Sequence, residues 1–369
     1  MQIMIKQKPD IRSMPLSELE QYFVSKGEKK FRAKQVYQWM HQKLIRTPEE
    51  MNNIPKSIRT DIEENTEWTA LREVTCYTSK IDGTAKFLFE LRDHHIIETV
   101  LMKYKHGNSV CISSQVGCRM GCRFCASTLD GLERNLRPSE MLDQIYYIQK
   151  KTGERVTNVV VMGSGEPFDN YDNLLIFLKM LTDANGLNIS QRNITVSTCG
   201  LVPFIKKLAD EKLQITLAIS LHAPNDEIRK KMMPIANKYS IDEILSACKY
   251  YIEKTGRRIT FEYCLAQGHN DSRENAKELI YRIKGMLCHV NLIPVNPVKE
   301  RDFEKSKQQS ILDFKNLLEK NKINVTIRRE MGSDIQAACG QLRKKYCDER
   351  KEEENEILRE NSCRDAKVD

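Results

Sequence analysis

From residue 110 onwards the sequence alternates between short apolar stretches and amphipathic stretches, and this alternation restricts the fold more than any other feature. Predicted strands lie at 110–114, 157–162, 193–197, 214–220, 258–264, 289–294 and near 324–328. Predicted helices lie at 139–151, 172–184, 201–210, 241–255, 273–284 and 308–320. About six βα units in series predict an α/β fold with a parallel sheet, either doubly wound or curled into a full or partial barrel. In both arrangements the active site lies beyond the carboxyl ends of the strands.

Three cysteines follow the first predicted strand in the pattern C-x3-C-x2-C, at Cys118, Cys122 and Cys125. Thiolates are soft ligands, and a tight bend that carries several of them suits an iron–sulfur cluster or zinc. A cubane cluster has four irons, so three protein thiolates leave one iron free to bind another group. Two alternatives stay open at this point. One is a set of three reduced, buried cysteines, and the other is a zinc site completed by a distant fourth ligand.

Polar residues and glycines follow several of the other predicted strands. Gly165 and Glu166 close the second strand; a glycine lets backbone approach a ligand, and the carboxylate can bind an ammonium group. The remaining residues are Ser197 after the third strand, Ser220, Leu221 and His222 at the end of the fourth, and Asn296 after the sixth. Each one alone is typical of a turn or of a satisfied core residue. Together, at one edge of a parallel sheet, they predict a ligand pocket.

Composition and charge limit the class of protein. Hydrophobic residues make up 40% of the 369 residues and charged residues 30%, which suits a soluble protein with a substantial core. No stretch approaches the roughly 18 apolar residues of a membrane span. The N-terminus lacks the apolar segment of a signal peptide, so we expect a cytoplasmic protein without membrane association. The twelve cysteines are then expected to be reduced thiols, metal ligands or catalytic groups.

The net charge is unevenly distributed along the chain. Residues 347–369 carry −4, so the +8 of the whole chain corresponds to +12 for residues 1–346. This excess suits a polyanionic partner, although an ordinary basic protein explains the charge alone equally well. We expect four segments along the chain: a helical accessory domain (1–72), antiparallel strands (73–105), the βα domain (106–346) and an acidic, disordered tail (347–369).

The N-terminal segment, 14–66, is predicted to be helical, with Gly27 ending the first helix. In the second helix Phe31, Val36, Trp39 and Met40 share one face and are expected to pack in the core, while Lys29, Lys30, Arg32 and Lys34 lie outside it. These basic residues either contact phosphates or form a solvated face. Further strands are predicted at 74–77, 86–91 and 96–102, as a small antiparallel sheet between the helices and the main domain.

The cysteine and Gly-Glu motifs together resemble those of the radical S-adenosylmethionine (SAM) enzymes, and longer segments narrow the resemblance to the RlmN family, which methylates C2 of adenine in ribosomal and transfer RNA. These segments are Gly27–Val36, Cys111–Cys118, Met162–Pro167, Leu217–Asp226, Leu292–Pro297 and Ala337–Leu342. The resemblance covers the chain except for about the first dozen residues and the acidic tail. It implies a partial (βα)6 radical SAM barrel. Ser164 is a departure, because many members of the family have Met at this position.

The resemblance also implies a role for each matching residue. Cys118, Cys122 and Cys125 would hold a 4Fe–4S cluster whose open iron binds the amino and carboxylate groups of SAM. Cys339 would carry the methyl group, Cys111 would resolve a protein–RNA adduct, and Glu98 would act as general base. The SAM pocket would be formed by Gly165, Glu166, Ser197, Ser220, Leu221, His222 and Asn296. Without the resemblance, Cys111 is typical of a buried small hydrophobe and Glu98 of an exposed strand residue.

A radical route is chemically reasonable because C2 of adenine lies between two ring nitrogens and is too electron-poor to attack the methyl group of SAM. The resemblance further implies two SAM molecules per turnover, 23S rRNA and tRNA as partners, an external electron donor such as flavodoxin or ferredoxin, and a monomer. The other cysteines are interpreted as structural (Cys76, Cys199, Cys248, Cys264 and Cys288) or as incidental thiols near the C-terminus (Cys347 and Cys363).

Two other functions remain open. A related C8 adenine methyltransferase that confers ribosomal antibiotic resistance shares the cluster and both mechanistic cysteines. A zinc-stabilised, non-enzymatic RNA-binding protein is the alternative from a different class.

Overall fold

A computed structural model describes residues 8–335, 343, 344 and 346–348. Within these residues the chain forms ten α-helices and twelve strands. The helices are α1 (Leu16–Ser25), α2 (Lys30–His41), α3 (Lys56–Asn65), α4 (Pro138–Thr152), α5 (Tyr171–Leu181), α6 (Val202–Asp210), α7 (Asp226–Met232), α8 (Ile241–Thr255), α9 (Arg273–Ile283) and α10 (Gln308–Lys320). The strands are β1 (Arg72–Thr78), β2 (Ala85–Glu90), β3 (Ile96–Tyr104), β4 (Gly107–Cys111), β5 (Gln115–Gly117), β6 (Leu132–Asn135), β7 (Val156–Val161), β8 (Ile194–Thr198), β9 (Thr216–Ser220), β10 (Ile259–Leu265), β11 (Cys288–Pro294) and β12 (Asn324–Ile327).

Ten of these strands form one sheet in the order β1-β2-β3-β4-β7-β8-β9-β10-β11-β12. The strands from β4 to β12 pair in parallel, and six of them are each followed by a helix that leads back to the next strand. The predicted series of six βα units is therefore confirmed. All seven residues of β10 are buried, as expected for a strand covered on both faces.

The antiparallel strands β1, β2 and β3 continue the same sheet, because β3 pairs with β4. All six residues of β2 are buried. On one face Phe87 and Phe89 stack at 5.7 Å between ring centroids, and Phe89 meets Tyr147 of α4 at 5.0 Å. The opposite face of β2 carries Lys86, which therefore points away from α4.

The N-terminal helices pack against α4 through a buried polar joint. The Asp143 carboxylate accepts hydrogen bonds from Arg12 at 2.8 Å, from Arg46 at 3.1 Å and from the backbone N–H of Leu71 at 2.7 Å. Arg12 and Asp143 are both fully buried. This joint fixes the helical segment relative to the βα domain.

The predicted packing of α2 is correct for Val36 and Met40, which are buried, and Trp39 is half-buried. It is wrong for Phe31, which is 51% exposed, with the guanidinium of Arg32 over its ring at 4.9 Å. Phe31 lies in the first turn of α2, whereas the buried residues of this helix, Val36 and Met40 among them, all follow it. No helix among the described residues is long and apolar enough to span a membrane.

Cys339, and the acidic tail from residue 349 onwards, lie outside the described residues.

Candidate active site

A cavity of about 730 Å³ opens at the carboxyl ends of the parallel strands. Eleven of the predicted site residues line it: Glu98, Cys111, Cys118, Cys122, Cys125, Gly165, Glu166, Ser197, Ser220, His222 and Asn296. Leu221 is fully buried behind the wall, where its backbone N–H donates to the carbonyl of Glu262 at 3.1 Å. The fold thus brings residues from seven separate segments of the chain to one space.

A two-stranded ribbon holds the base of the cysteine loop, since β5 pairs antiparallel with β6. The N–H of Cys118 donates to the carbonyl of Gly131 at 2.7 Å. Gly117 has φ of 74°, and a Cβ there would come within 2.1 Å of the same carbonyl oxygen. The positive φ and the close carbonyl both require a glycine at Gly117. The thiol of Cys118, the next residue, therefore lies directly at the end of the ribbon.

The rest of the loop is braced by hydrogen bonds. The hydroxyl of Thr128 lies 3.0 Å from the carbonyl oxygens of both Cys122 and Cys125, which share its hydrogen bond. The N–H of Arg123 donates to the carbonyl of Met232 at the end of α7 at 2.9 Å. The thiols of the loop are therefore held at the cavity by both the ribbon and α7.

The three thiols fit a 4Fe–4S cluster. Burial raises the pKa of Cys118 to about 12 and also raises the pKa of Cys122 and of Cys125. A positively charged metal centre offsets this cost of ionisation, as it does for thiolate ligands in general. No three His, Cys, Asp or Glu side chains of the described segments converge on a single metal ion. A cluster binds each thiolate through a different iron, so its ligands need not converge.

The Gly163–Glu166 turn packs closely on the link between β4 and β5. Gly165 has φ of 108°, and a Cβ there would lie 2.6 Å from the side chain of Gln115. The carbonyl of Ser164 accepts hydrogen bonds from the N–H groups of Ser114 and Gln115 at 2.9 and 3.1 Å. Ser164, the departure from the family pattern, is buried and is not among the residues that line the cavity.

The carboxylate of Glu166 is fixed by two backbone donors. Its oxygens accept hydrogen bonds from the N–H of Phe168 at 3.0 Å and from the N–H of Cys199 at 2.7 Å. Burial raises the pKa of Glu166, and these hydrogen bonds act in the opposite direction. A carboxylate held in this way at a cavity wall is suited to bind a cationic group.

His222 is a buried, neutral histidine. Its backbone has φ of 57°, and its Nδ1 accepts a hydrogen bond from the N–H of Cys264 at 2.9 Å. Burial, with a smaller contribution from the Arg229 guanidinium, lowers the pKa of His222 to about 3. Because Nδ1 is an acceptor, the proton of the neutral ring is on Nε2. The ring packs edge-to-face on Phe124 of the cysteine loop at 4.9 Å. Beside it, the hydroxyls of Ser197 and Ser220 lie 3.4 Å apart.

Glu98 on β3 and Cys111 on β4 form another part of the cavity wall. Glu98 is buried, so the interpretation of an exposed strand residue is wrong. Its carboxylate lies 3.3 Å from the Nζ of Lys86 and accepts a hydrogen bond from the N–H of Arg343 at 2.5 Å. Cys111 is half-buried, and burial raises its pKa. A carboxylate and a thiol thus face the same space as the three loop cysteines.

Comparison with known proteins identifies this arrangement. Residues 112–280 match the Radical SAM superfamily, and residues 10–67 match the ribosomal RNA large subunit methyltransferase N-terminal domain. A protein from Lachnospira eligens named probable dual-specificity RNA methyltransferase RlmN is 66% identical over 340 residues, which cover 92% of this chain and 97% of the relative. A protein of the same name from Lachnoclostridium phytofermentans is 60% identical over 93% of this chain and 97% of its own length. The chain belongs to the RlmN family.

A solved structure of a radical SAM methyltransferase from Sphaerobacter thermophilus superposes on this RlmN-family chain with a TM-score of 0.86. It is 42% identical and covers 90% of this chain and 98% of its own. The expected fold, a radical SAM barrel with a helical N-terminal domain, is therefore confirmed.

Several charged residues of this RlmN-family site are not predicted by the sequence motifs. Glu262 and Arg328 line the cavity, and Lys86 lies behind Glu98. Glu262 and Lys86 each interrupt an otherwise largely apolar strand, β10 and β2, and this interruption is the signal that could have found them. Arg328 directly follows β12, whose end is at the same edge of the sheet.

Proposed function

We propose that this protein methylates C2 of a specific adenine in 23S rRNA and, next to the anticodon, in tRNA, through a methyl-cysteine intermediate and a transient protein–RNA adduct. The observation that carries the proposal is that Glu98 and Cys111 line the same cavity as the three cysteines of the loop. A base and a thiol at this position have no part in holding a cluster or SAM. They are the groups that a covalent adduct would need for its breakdown.

Cys118, Cys122 and Cys125 would hold the 4Fe–4S cluster, and Glu166, Ser197, Ser220, His222 and Asn296 would bind SAM together with the backbone at Gly165 and Leu221. When bound, the cluster supplies the electron that cleaves SAM to a 5′-deoxyadenosyl radical. The fixed carboxylate of Glu166 suits the ammonium group of SAM, and the Nε2–H of His222 is a donor. We expect the electron to come from flavodoxin or ferredoxin.

The thiol of Cys339 takes a methyl group from a first SAM molecule by displacement, and a second SAM molecule serves the radical step, so each turnover uses two. Once the methylene radical carbon on Cys339 has added to C2 of the adenine, the adduct must lose one electron, for which the cluster would be the acceptor, and the C2 proton. Glu98 accepts that proton, because it is a carboxylate at the cavity wall.

The Cys111 thiolate then attacks the sulfur of Cys339. An S–S bond forms, the bond between that sulfur and the methylene carbon breaks, and its electron pair stays on the carbon, which takes up a proton to become the methyl group. The two cysteines are oxidised to a disulfide as the carbon is reduced, and an external thiol reductant returns them to the free thiols.

The RNA must present an unstacked adenine, because C2 is otherwise covered within a helix. We propose that the exposed start of α2 contacts the RNA backbone. Lys29, Lys30 and Lys34 are exposed there, next to the exposed ring of Phe31. Cations and an aromatic ring on one surface suit the phosphates and bases of a single-stranded segment.

The test is an anaerobic assay with SAM, a reductant and separate rRNA and tRNA substrates, followed by nucleoside analysis. We expect 2-methyladenosine in both RNAs. Exclusive formation of 8-methyladenosine would assign the protein to C8 methylation, for which the same cavity residues would serve. A colourless protein with stoichiometric zinc and no iron or sulfide would overturn the radical mechanism in favour of a zinc-stabilised RNA-binding protein.

A further inference from the structure

Lys86, Val100 and Cys111 lie in one row across β2, β3 and β4. Lys86 is paired in register with Val100, and Val100 is paired with Cys111. Residues that oppose each other in register share a face of the sheet, and Glu98, two residues before Val100, lies on that face as well. The side chains of Lys86, Glu98 and Cys111 therefore belong to the face that lines the cavity.

Lys86 has no exposed surface, and its Nζ lies 3.3 Å from Oε1 of Glu98. Removing an ammonium group from water is unfavourable, and an ion pair offsets this only with good geometry. Apolar residues would stabilise the strand at least as well, so an ion pair here calls for a role beyond packing.

The charges around Cys111 come from several elements. Burial is the largest influence on the pKa of Cys111 and raises it. The guanidinium of Arg328 beyond β12 lowers this pKa, the carboxylate of Glu98 raises it, and the ammonium of Lys86 has the smallest of these effects and lowers it. Arg343 adds its backbone N–H to Glu98 and directs its guanidinium to Glu133 and the carbonyl of Ile96. On β1 the residue in register with Lys86 is Tyr77, which is 45% exposed.

A thiolate at Cys111 beside an ionised Glu98 brings two negative charges onto one buried face. Each disfavours the other, because like charges repel strongly away from water. The ammonium group of Lys86, 3.3 Å from Oε1 of Glu98, places a cation on that face. With Lys86 in place, the three groups carry one net negative charge instead of two.

We propose that Lys86 is a positioning residue for the resolution step: it holds the carboxylate of Glu98 beside Cys111 and compensates its charge, so that the Cys111 thiolate can form before Glu98 takes up the C2 proton. The proposal rests on the roles of Glu98 and Cys111 in the proposed function. Lys86 itself forms and breaks no covalent bond. It acts through the two groups that do the chemistry.

The test measures thiolate formation directly. Cluster-free, full-length protein is treated with isotope-labelled iodoacetamide across a pH series, and the rate of labelling at Cys111 is followed by mass spectrometry of the peptide that contains it. Lys86→Met should shift the pH midpoint of labelling upward by about one unit. This shift corresponds to a roughly tenfold lower rate of Cys111 labelling at a fixed pH below the midpoint. Lys86→Arg should restore the midpoint towards that of the unsubstituted protein. Lys103→Met, which removes an exposed lysine from β3, is the matched control and should leave it unchanged.

A Lys86→Met protein with an unshifted midpoint would overturn the proposal. If Lys86→Met does not fold, as judged by circular dichroism, Glu98→Gln decides the question. That variant leaves the ammonium group facing Cys111 without the carboxylate, so the midpoint should move downward, and an unchanged midpoint would again contradict the proposal. The labelling needs no RNA, cluster or turnover. A failure of the proposed function would appear instead as the absence of methylated RNA, with the labelling result unaffected.

Discussion

The carboxylate of Asp143 in α4 lies 2.8 Å from the guanidinium of Arg12, and neither group is exposed to solvent. The same carboxylate accepts hydrogen bonds from Arg46 and from the backbone of Leu71. One acidic side chain therefore joins three parts of the N-terminal segment to the first helix of the βα domain. This joint sets where the exposed start of α2 lies relative to the cavity.

Asp143→Asn should destabilise the protein by about 3 kcal/mol or more, because it leaves the buried guanidinium of Arg12 without its counter-charge. Urea unfolding followed by circular dichroism measures the loss. Asp61→Asn is the matched control, since Asp61 pairs with Lys26 at the surface and should leave the unfolding midpoint unchanged. An unchanged midpoint for Asp143→Asn would show that the joint contributes nothing to stability.

Cys111→Ala should stop the reaction at the protein–RNA adduct, because the thiol that attacks the sulfur of Cys339 is missing. The adduct is measured as a shifted band on a denaturing gel that disappears after RNase treatment. Cys264→Ala is the control in the same cavity: the thiol of Cys264 has no role in the proposed chemistry, and the backbone N–H that contacts His222 is kept. Normal turnover by Cys111→Ala would remove Cys111 from the mechanism.

Gly165→Ala should weaken SAM binding at least tenfold. Its φ of 108° costs a residue with a Cβ about 1–3 kcal/mol, and the new methyl group would lie 2.6 Å from the side chain of Gln115. Calorimetric titration of cluster-loaded protein with SAM gives the affinity. Gly153→Ala at the end of α4 also has a positive φ, of 68°, but has open space around the Cβ, so SAM affinity should stay the same. Equal affinities for both variants would exclude a role for the turn in binding SAM.

The stability of the protein should fall as the pH is lowered from about 6.5 towards 3 because of His222. Its pKa in the folded state is about 3, below the value of 6.5 for an unfolded chain, so across this window the unfolded state binds a proton that the folded state does not. The contribution of His222 to the free energy of unfolding above pH 6.5 is of the order of 5 kcal/mol, and it is lost as the pH falls towards 3.

Asn at position 222 tolerates the positive φ and can accept the hydrogen bond from Cys264 without titrating, so His222→Asn should flatten this part of the pH dependence. Urea unfolding at several pH values measures the slope. In His94→Asn, which changes an exposed histidine with a φ of 66°, the slope due to His222 should remain. The same slope in both variants would contradict a buried, neutral His222.

Phe31→Ala should weaken RNA binding by about 1–3 kcal/mol without loss of protein stability, because the ring is exposed and available to stack on a base. Lys30→Ala should weaken binding to all RNAs and reduce the salt dependence of the affinity by about one unit of slope. Fluorescence anisotropy with a labelled RNA hairpin at several salt concentrations tests both. Tyr281→Ala on α9 is the control, since Tyr281 is 86% exposed on another surface. Unaltered RNA affinity in Phe31→Ala would exclude α2 as the stacking surface.

The order of the elements and the convergence of several strand-end residues on one cavity were predictable from the sequence. Apolar periodicity predicted the six βα units, and parallel strands bring their carboxyl ends to one edge, so the positions of Glu166, Ser197 and Ser220 at strand ends sufficed to assign them to one pocket. Phe31 was assigned to the core in error. Helical periodicity reports which residues share a face, but it does not report how far the neighbouring elements extend over that face.

The sequence by itself determined the cysteine loop and the succession of strands and helices, because both depend on residues close together in the chain. Only the tertiary structure decided that Lys86 lies beside Glu98 and in one row with Cys111. That relationship depends on the register of three strands, and register is set by turns and by packing across the whole sheet. A lysine in an apolar strand is visible in the sequence, but the residue that its charge meets is decided by the fold.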